Sequence, residues 1–211
     1  MNTNWQTVVN NLRAQPVGQY LPRVYTSEQL KGWEKQRDIL ADSYSKTNNG
    51  VVEIPFSGGA STSLVLEKPL SRGTVLLNTA DKYAEPIVDF QTHVNPTDSD
   101  IAVTVVKFYR RYMAAPSHQQ LTPVENSPGT SVSTDQQIAE WAARNMGATT
   151  AHSCCTAAMG PRDLGGVLSS TLTVYGVTGL SVGDISLIPL IPATHTCATV
   201  YAISERVSLW K

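Results

Sequence analysis

The stretch from residue 51 to residue 90 does most to limit the folds open to this chain. It holds four short segments of strand composition, at 51–56, 63–68, 73–79 and 87–90. Ser71-Arg72-Gly73 separates the second from the third, which predicts a tight turn and an antiparallel pairing of those two. Helical patterns stand on either side of this region. The expected class is therefore α+β, an antiparallel sheet flanked by helices.

The helices are marked by their caps and stripes. Residues 4–14 place Trp5, Val8, Val9 and Leu12 on one face. Thr26 or Ser27 suits the N-cap of a longer helix running to about Ser45, with Leu30, Trp33, Ile39, Leu40 and Tyr44 as apolar contacts. An Asn-Pro turn at Asn95-Pro96 introduces a helix over 98–115, with Ile101, Val105, Phe108, Tyr109 and Tyr112 on its stripe. Residues 116–133 read as a loop, and Thr134 with Gln137 forms a capping box for a helix carrying Ile138, Trp141 and Ala142. Two further strands are predicted at 171–175 and 180–184. Pro192 suits the first turn of a last helix over 193–209.

At 211 residues the chain fits a single domain with a real core. A net charge of −1 and the lack of a basic cluster give no case for nucleic acid or an anionic membrane as partner. The polar start, MNTNWQTVVNNLRAQP, has no apolar signal core, and no apolar run reaches membrane-span length. A cytoplasmic location is the expectation. The three cysteines, Cys154, Cys155 and Cys197, are an odd set with two adjacent, which suits free thiols better than a disulfide framework. His93 and His118 fall in predicted loops, and no spacing of the H-x-x-x-H or C-x-x-C kind suggests a metal.

The remaining histidines, His152 and His195, stand in a distinctive tail, AHSCCTAAMGPRDLGGVLSSTLTVYGVTGLSVGDISLIPLIPATHTCATVYAISERVSLWK, from residue 151 to residue 211. This tail resembles the C-terminal signature of the glucose–methanol–choline (GMC) flavin oxidoreductases. Upstream, LVLEKPLSRGTVLLNT (64–79), ADKYAEPIVDF (80–90), NPTDSDIAVTVVKFYRRYMAAP (95–116) and residues 131–146 resemble successive segments of the same family. The resemblance covers 51–211 and, more loosely, the first fifty residues. It implies that residues 1–211 form a substrate-binding, C-terminal type of domain. Residues 180–211 correspond to the strand and helix that return to the flavin domain in full-length relatives. The chain departs from the pattern at Cys155, Ser169, Thr173 and Ser181, while Asp184 keeps the family's residue type.

The resemblance also implies a role for the two histidines. In the family the matching pair flanks the substrate hydroxyl, one ring taking its proton and the other hydrogen-bonding the same oxygen. Histidine suits that task because its pKa lies near the working pH. The alternative is that both are structural residues satisfied by backbone hydrogen bonds. The dinucleotide fingerprint that holds a flavin pyrophosphate is not found, since Gly58-Gly59, Gly165-Gly166 and Gly176, Gly179, Gly183 lack its spacing. No cofactor is therefore expected of the chain itself, although full-length relatives carry FAD. The expected function is a stand-alone domain that binds a small, largely apolar organic molecule. It would transform that molecule by histidine acid–base chemistry, as an isomerase, cyclase or dehydratase does. Two alternatives stand beside it: a split or truncated FAD-dependent alcohol oxidoreductase, and a non-catalytic binding domain. The apolar residues of the last segment, Leu187, Ile188, Leu190, Ile191, Val200, Tyr201, Ile203, Val207, Leu209 and Trp210, are too many for one small domain to turn inward. They predict an exposed patch and a homodimer.

Overall fold

The computed structural model describes residues 2–56 and 62–209. Helix α1 (Asn2–Ala14) lays Val8, Val9 and Leu12 into the core, and Trp5 packs at its edge. Helix α2 (Ser27–Tyr44) begins with a reciprocal capping box: the Thr26 hydroxyl accepts from the Gln29 amide while the Gln29 side chain accepts from the Thr26 amide. Its inner face carries Trp33, Leu40, Ala41 and Tyr44, whereas Ile39 faces solvent. Helix α3 (Pro96–Met113) is capped by Asn95, whose side chain accepts from the Thr97 amide at 3.0 Å. Ile101 and Val105 of this helix meet α1, α2 and Leu70 in the first core. Of its predicted stripe, Tyr112 is exposed.

The strands pair differently from the expectation. Strands β1 (Val52–Glu53) and β2 (Val65–Leu66) form one antiparallel ladder, with Glu53 opposite Val65. Strands β3 (Thr74–Leu76) and β4 (Ile87–Asp89) form a second, with Val75 opposite Val88. The predicted hairpin between 63–68 and 73–79 does not form. Leu70, fully buried, is drawn into the first core. The amides of Leu70 and Ser71 donate to the buried Asp98 carboxylate at 2.7 and 2.9 Å. Segment 70–72 is thereby tied to the start of α3 and cannot turn back on β2. Gly73 lies so close beneath β4 that a Cβ there would sit 2.2 Å from the Asp89 carbonyl oxygen.

A knot of polar side chains completes this junction. Gln15, just past α1, exchanges hydrogen bonds with Asn95 at 2.9 and 3.0 Å and donates to the Thr97 hydroxyl at 2.9 Å. The Asn95 amide donates to the Ser71 hydroxyl at 3.0 Å. Tyr44 donates its hydroxyl to the Lys68 carbonyl, and burial together with the Asp98 charge holds that phenol protonated well above the ordinary tyrosine range.

Residues 116–133 include a short helix, α4 (Pro116–Gln119), within the predicted loop. Helix α5 (Asp135–Asn145) starts at the predicted capping box and packs Ile138 between Val103 and Val106 of α3. Beyond it the chain winds through turns rather than strands. The segments predicted as strands at 171–175 and 180–184 make only isolated bridges, Leu168 to Val174 and Thr173 to Ser181. Left-handed backbone at Leu172, Gly176 and Gly179 interrupts any extended run. Two 3-10 turns, Arg162–Leu164 and Ile185–Leu187, anchor this region, the first against α2.

The last helix, α6 (Thr196–Ser208), starts later than predicted: His195 is its N-cap and Pro192 stands outside. A turn in which the Thr194 amide donates to the Pro192 carbonyl occupies the place of the predicted first turn. The expected C-terminal patch also turns out differently. Leu187, Ile188 and Val207 are buried in a second core with Leu168 and Leu172, and Leu190 packs on the first. Tyr201 and Leu209 remain exposed, while Trp210 lies outside the described residues. The larger exposed apolar surface is on the β3–β4 ladder, where Val75, Leu76, Ile87, Val88 and Phe90 leave both faces uncovered.

Candidate active site

The approach of the last two segments brings His152 and His195 together. His152 follows Ala151, which adopts a left-handed conformation, and its amide donates to the Thr149 hydroxyl at 2.9 Å. His195 leaves its helix without a side-chain cap, so its ring is free to point elsewhere. The two rings meet edge to face, 83° apart, with His152 Nε2 3.1 Å from His195 Nδ1. Neither ring uses a backbone hydrogen bond for this contact.

Two glutamates that the sequence reading did not single out complete the group. Glu53 Oε2 lies 3.2 Å from His195 Nε2. Glu67, just beyond β2, is buried, and its amide continues the ladder by donating to the Val51 carbonyl at 2.9 Å. Because Glu53 faces Val65, Glu67 is its diagonal neighbour on the same face of the ladder. Burial first, then the hydrogen bond and charge of Glu53, push the Glu67 carboxyl above the ordinary range, while the two imidazoles pull it back. Glu53, Glu67 and His195 line an open depression of about 370 Å³ together with Gly50, Val52, Ala193 and Thr194. The signal for the glutamates was present in the sequence, since both lie in predicted strands. It became visible only when those strands were paired with each other.

The hydrogen-bond directions follow from the partners. A Glu53 carboxylate accepts only, so the proton of neutral His195 sits on Nε2 and its lone pair on Nδ1. His152 Nε2 then carries the proton it donates to His195 Nδ1, which leaves His152 Nδ1 a bare acceptor. That atom is buried and has no hydrogen-bond partner among the described residues. An oxygen about 3 Å from both facing nitrogens would complete a near-equilateral triangle with them, within reach of one acceptor and one donor.

The other candidates lie apart. His93 Nδ1 is 3.1 Å from the Ser99 hydroxyl, and His118 packs on the Tyr112 ring with centroids 4.4 Å apart. Among the described residues no group of three or more His, Cys, Asp or Glu side chains could hold a metal ion, and no helix is long and apolar enough to cross a membrane. Asp184 spends its carboxylate on the Ser186 amide, 2.8 Å away, at the start of a 3-10 turn. Ser169 and Thr173, two of the departures from the family pattern, meet through their hydroxyls at 2.7 Å.

A family model described as GMC oxidoreductase matches residues 69–204. The chain belongs to the GMC oxidoreductase family. Dehydrogenase xptC of Emericella nidulans is 33% identical over 207 residues, which is 98% of this chain and 33% of that protein. The solved FAD-dependent oxidoreductase from Chaetomium thermophilum superposes with a TM-score of 0.92 at 34% identity, over 99% of this chain and 36% of that one. A fungal aryl-alcohol oxidase structure gives a TM-score of 0.91 at 33% identity, over 97% of this chain and 35% of that one. The chain thus spans about a third of the length of these GMC relatives and corresponds to their C-terminal part.

Gly165 and Gly166, the paired glycines among the described residues, do not form a cradle for the pyrophosphate of FAD. Gly165 and Gly166 are consumed by contacts within the chain: a Cβ on Gly165 would sit 2.9 Å from Gln29, and one on Gly166 2.1 Å from the Gly160 carbonyl oxygen. Neither opens a strand-to-helix cradle for phosphate. Gly58 and Gly59 lie outside the described residues.

Proposed function

We propose that this chain supplies the acid–base half of an alcohol-oxidising site. The observation that carries the reading is the 3.1 Å approach of His152 Nε2 to His195 Nδ1, with Glu53 fixed behind His195. In this reading a substrate hydroxyl replaces the hydrogen bond between the two rings and sits against both of them. His195 accepts its proton at Nδ1, and the imidazolium that forms is held by the Glu53 carboxylate, as the buried carboxylate holds the histidine of a hydrolase triad. His152 keeps its Nε2 proton and donates it as a hydrogen bond to the developing alkoxide. The hydride acceptor that oxidation also needs is a flavin bound outside these residues.

Two observations support this reading over a stand-alone isomerase or cyclase. The depression is open, and two carboxyl side chains line it, so it does not enclose an apolar molecule unaided. The β3–β4 ladder exposes apolar side chains on both faces, which suits cover by further protein carrying the flavin. For the chain alone, a second copy would provide that cover.

The chain has four histidines, so imidazole NMR is a direct test. The name of the aryl-alcohol oxidase makes a benzylic alcohol the first probe. Millimolar benzyl alcohol should shift the His152 and His195 resonances and leave His93 and His118 in place. Equal shifts at all four, or none, would refute the pair as a hydroxyl site. The purified chain should also show no flavin absorbance, and stoichiometric flavin would overturn the division of labour.

A further inference from the structure

Two and three residues beyond His152 the chain places two thiols side by side. Cys154 Sγ and Cys155 Sγ are 3.1 Å apart, both residues are half-buried, and Cys155 holds a left-handed backbone with φ of +70°. Non-glycine residues seldom adopt that conformation, and here it turns the second side chain towards the first. Both thiols border the second core, which shields them without closing them off. Cys197, on the first turn of α6, is exposed and belongs to neither contact.

We propose that Cys154 and Cys155 form a redox-modifiable dithiol, which a peroxide-class oxidant converts to a disulfide between adjacent residues. The two sulfurs are unequal. The hydrogen bond from Cys155 lowers the Cys154 thiol below its ordinary pKa, opposed by burial and aided by the Arg72 guanidinium. Donating that bond, together with burial, raises Cys155. Cys154 is therefore the attacking thiolate and Cys155 the resolving thiol.

The steps balance without further reagents. The Cys154 thiolate attacks one peroxide oxygen; the S–O bond forms as the O–O bond breaks, and the leaving oxygen takes a proton from water. Cys155 sulfur then attacks the sulfenic sulfur. The S–S bond forms, the S–O bond breaks, and the departing hydroxide leaves as water with the Cys155 proton. The two sulfurs lose two electrons in total and the peroxide gains them. Adjacent Cα atoms stand about 3.8 Å apart, closer than the usual disulfide span. The bridge is accordingly strained and easily reduced, which makes the modification reversible.

Peptide mass spectrometry on the full chain tests the idea. The chain is treated with hydrogen peroxide, quenched, then alkylated with N-ethylmaleimide in denaturant. The peptide spanning 154–155 should lose two hydrogens and take no label, while Cys197 is labelled, and dithiothreitol should restore both labels. With Cys155→Ser, Cys154 should stop at a sulfenic acid that dimedone traps. Full labelling of both thiols after peroxide, or sulfinic acid at Cys154 in the unaltered chain, would overturn the proposal. Because the unaltered chain gives the primary readout, a variant that fails to fold leaves the test intact.

Discussion

Replacing Asp98 by Asn tests the junction that decides the strand pairing. Asp98 is 2% exposed and sits in the first turn of α3, where its two oxygens accept from the Leu70 and Ser71 amides. Asparagine keeps one acceptor oxygen but turns an NH2 group towards the second amide. One hydrogen bond to a charged group, about 1.5–3 kcal/mol, is lost, and the buried N–H left facing a donor costs about 1–3 kcal/mol. The missing charge at the helix start removes a further ~0.5 kcal/mol. These contributions overlap, so the expected loss is about 3 kcal/mol. For a chain of this length that lowers Tm by about 6–12 °C. Urea unfolding followed by tryptophan fluorescence, to which buried Trp33 contributes, gives the free energy directly. Asp135→Asn is the control. Asp135 also opens a helix and pairs with Lys107 at 2.7 Å, but in solvent, so its loss should stay below about 1 kcal/mol. A change at Asp98 no larger than at Asp135 would mean that the buried carboxylate does not hold the Leu70 and Ser71 amides in place.

The remaining predictions concern the site and the surface. Glu53→Ala should release the His195 ring from a single tautomer; ¹⁵N shifts of its two nitrogens should move towards each other, and an unchanged His195 spectrum would remove Glu53 from the group. Glu67 has a raised carboxyl pKa, so the folded state holds its proton more tightly than the unfolded one, and stability falls as pH rises from the ordinary glutamate range through the raised value. Glu67→Gln should flatten that fall above about pH 4, where an ordinary glutamate ionises, and identical pH slopes in the two proteins would contradict it. Light scattering at micromolar concentration should give the isolated chain a dimer mass, with Leu76→Asp plus Val88→Asp returning it to monomer; a monomer mass for the unaltered chain would refute cover of β3–β4 by a second copy.

What the sequence made legible was decided within a few residues. Thr26 with Gln29, Thr134 with Gln137, and Asn95 before Pro96 each satisfy local amides, so the helix starts could be read from spacing alone. The strand pairing could not. Ser71-Arg72-Gly73 has turn composition, but Leu70 is drawn into a core built by three helices, and Asp98 reaches it from 28 residues away. That distant contact also hid the Glu53–Glu67 neighbourhood. The histidine pair was placed by family resemblance rather than by any local pattern, because its partners are 43 residues apart and meet only after the second core forms. The C-terminal apolar residues were counted correctly, yet their direction depends on a winding, strand-poor segment that periodicity does not describe.

His195 occupies the one position of α6 where a short polar side chain would serve the helix best, and it makes no cap there. Serine, asparagine or aspartate at that place would typically stabilise the helix by about 1 kcal/mol. A thermal-stability screen of random variants would therefore enrich replacements of His195, and each winner would have lost the ring that faces His152. Ranked by melting temperature alone, a library of this protein would discard the proposed histidine pair first, a trade-off to guard against in engineering the chain.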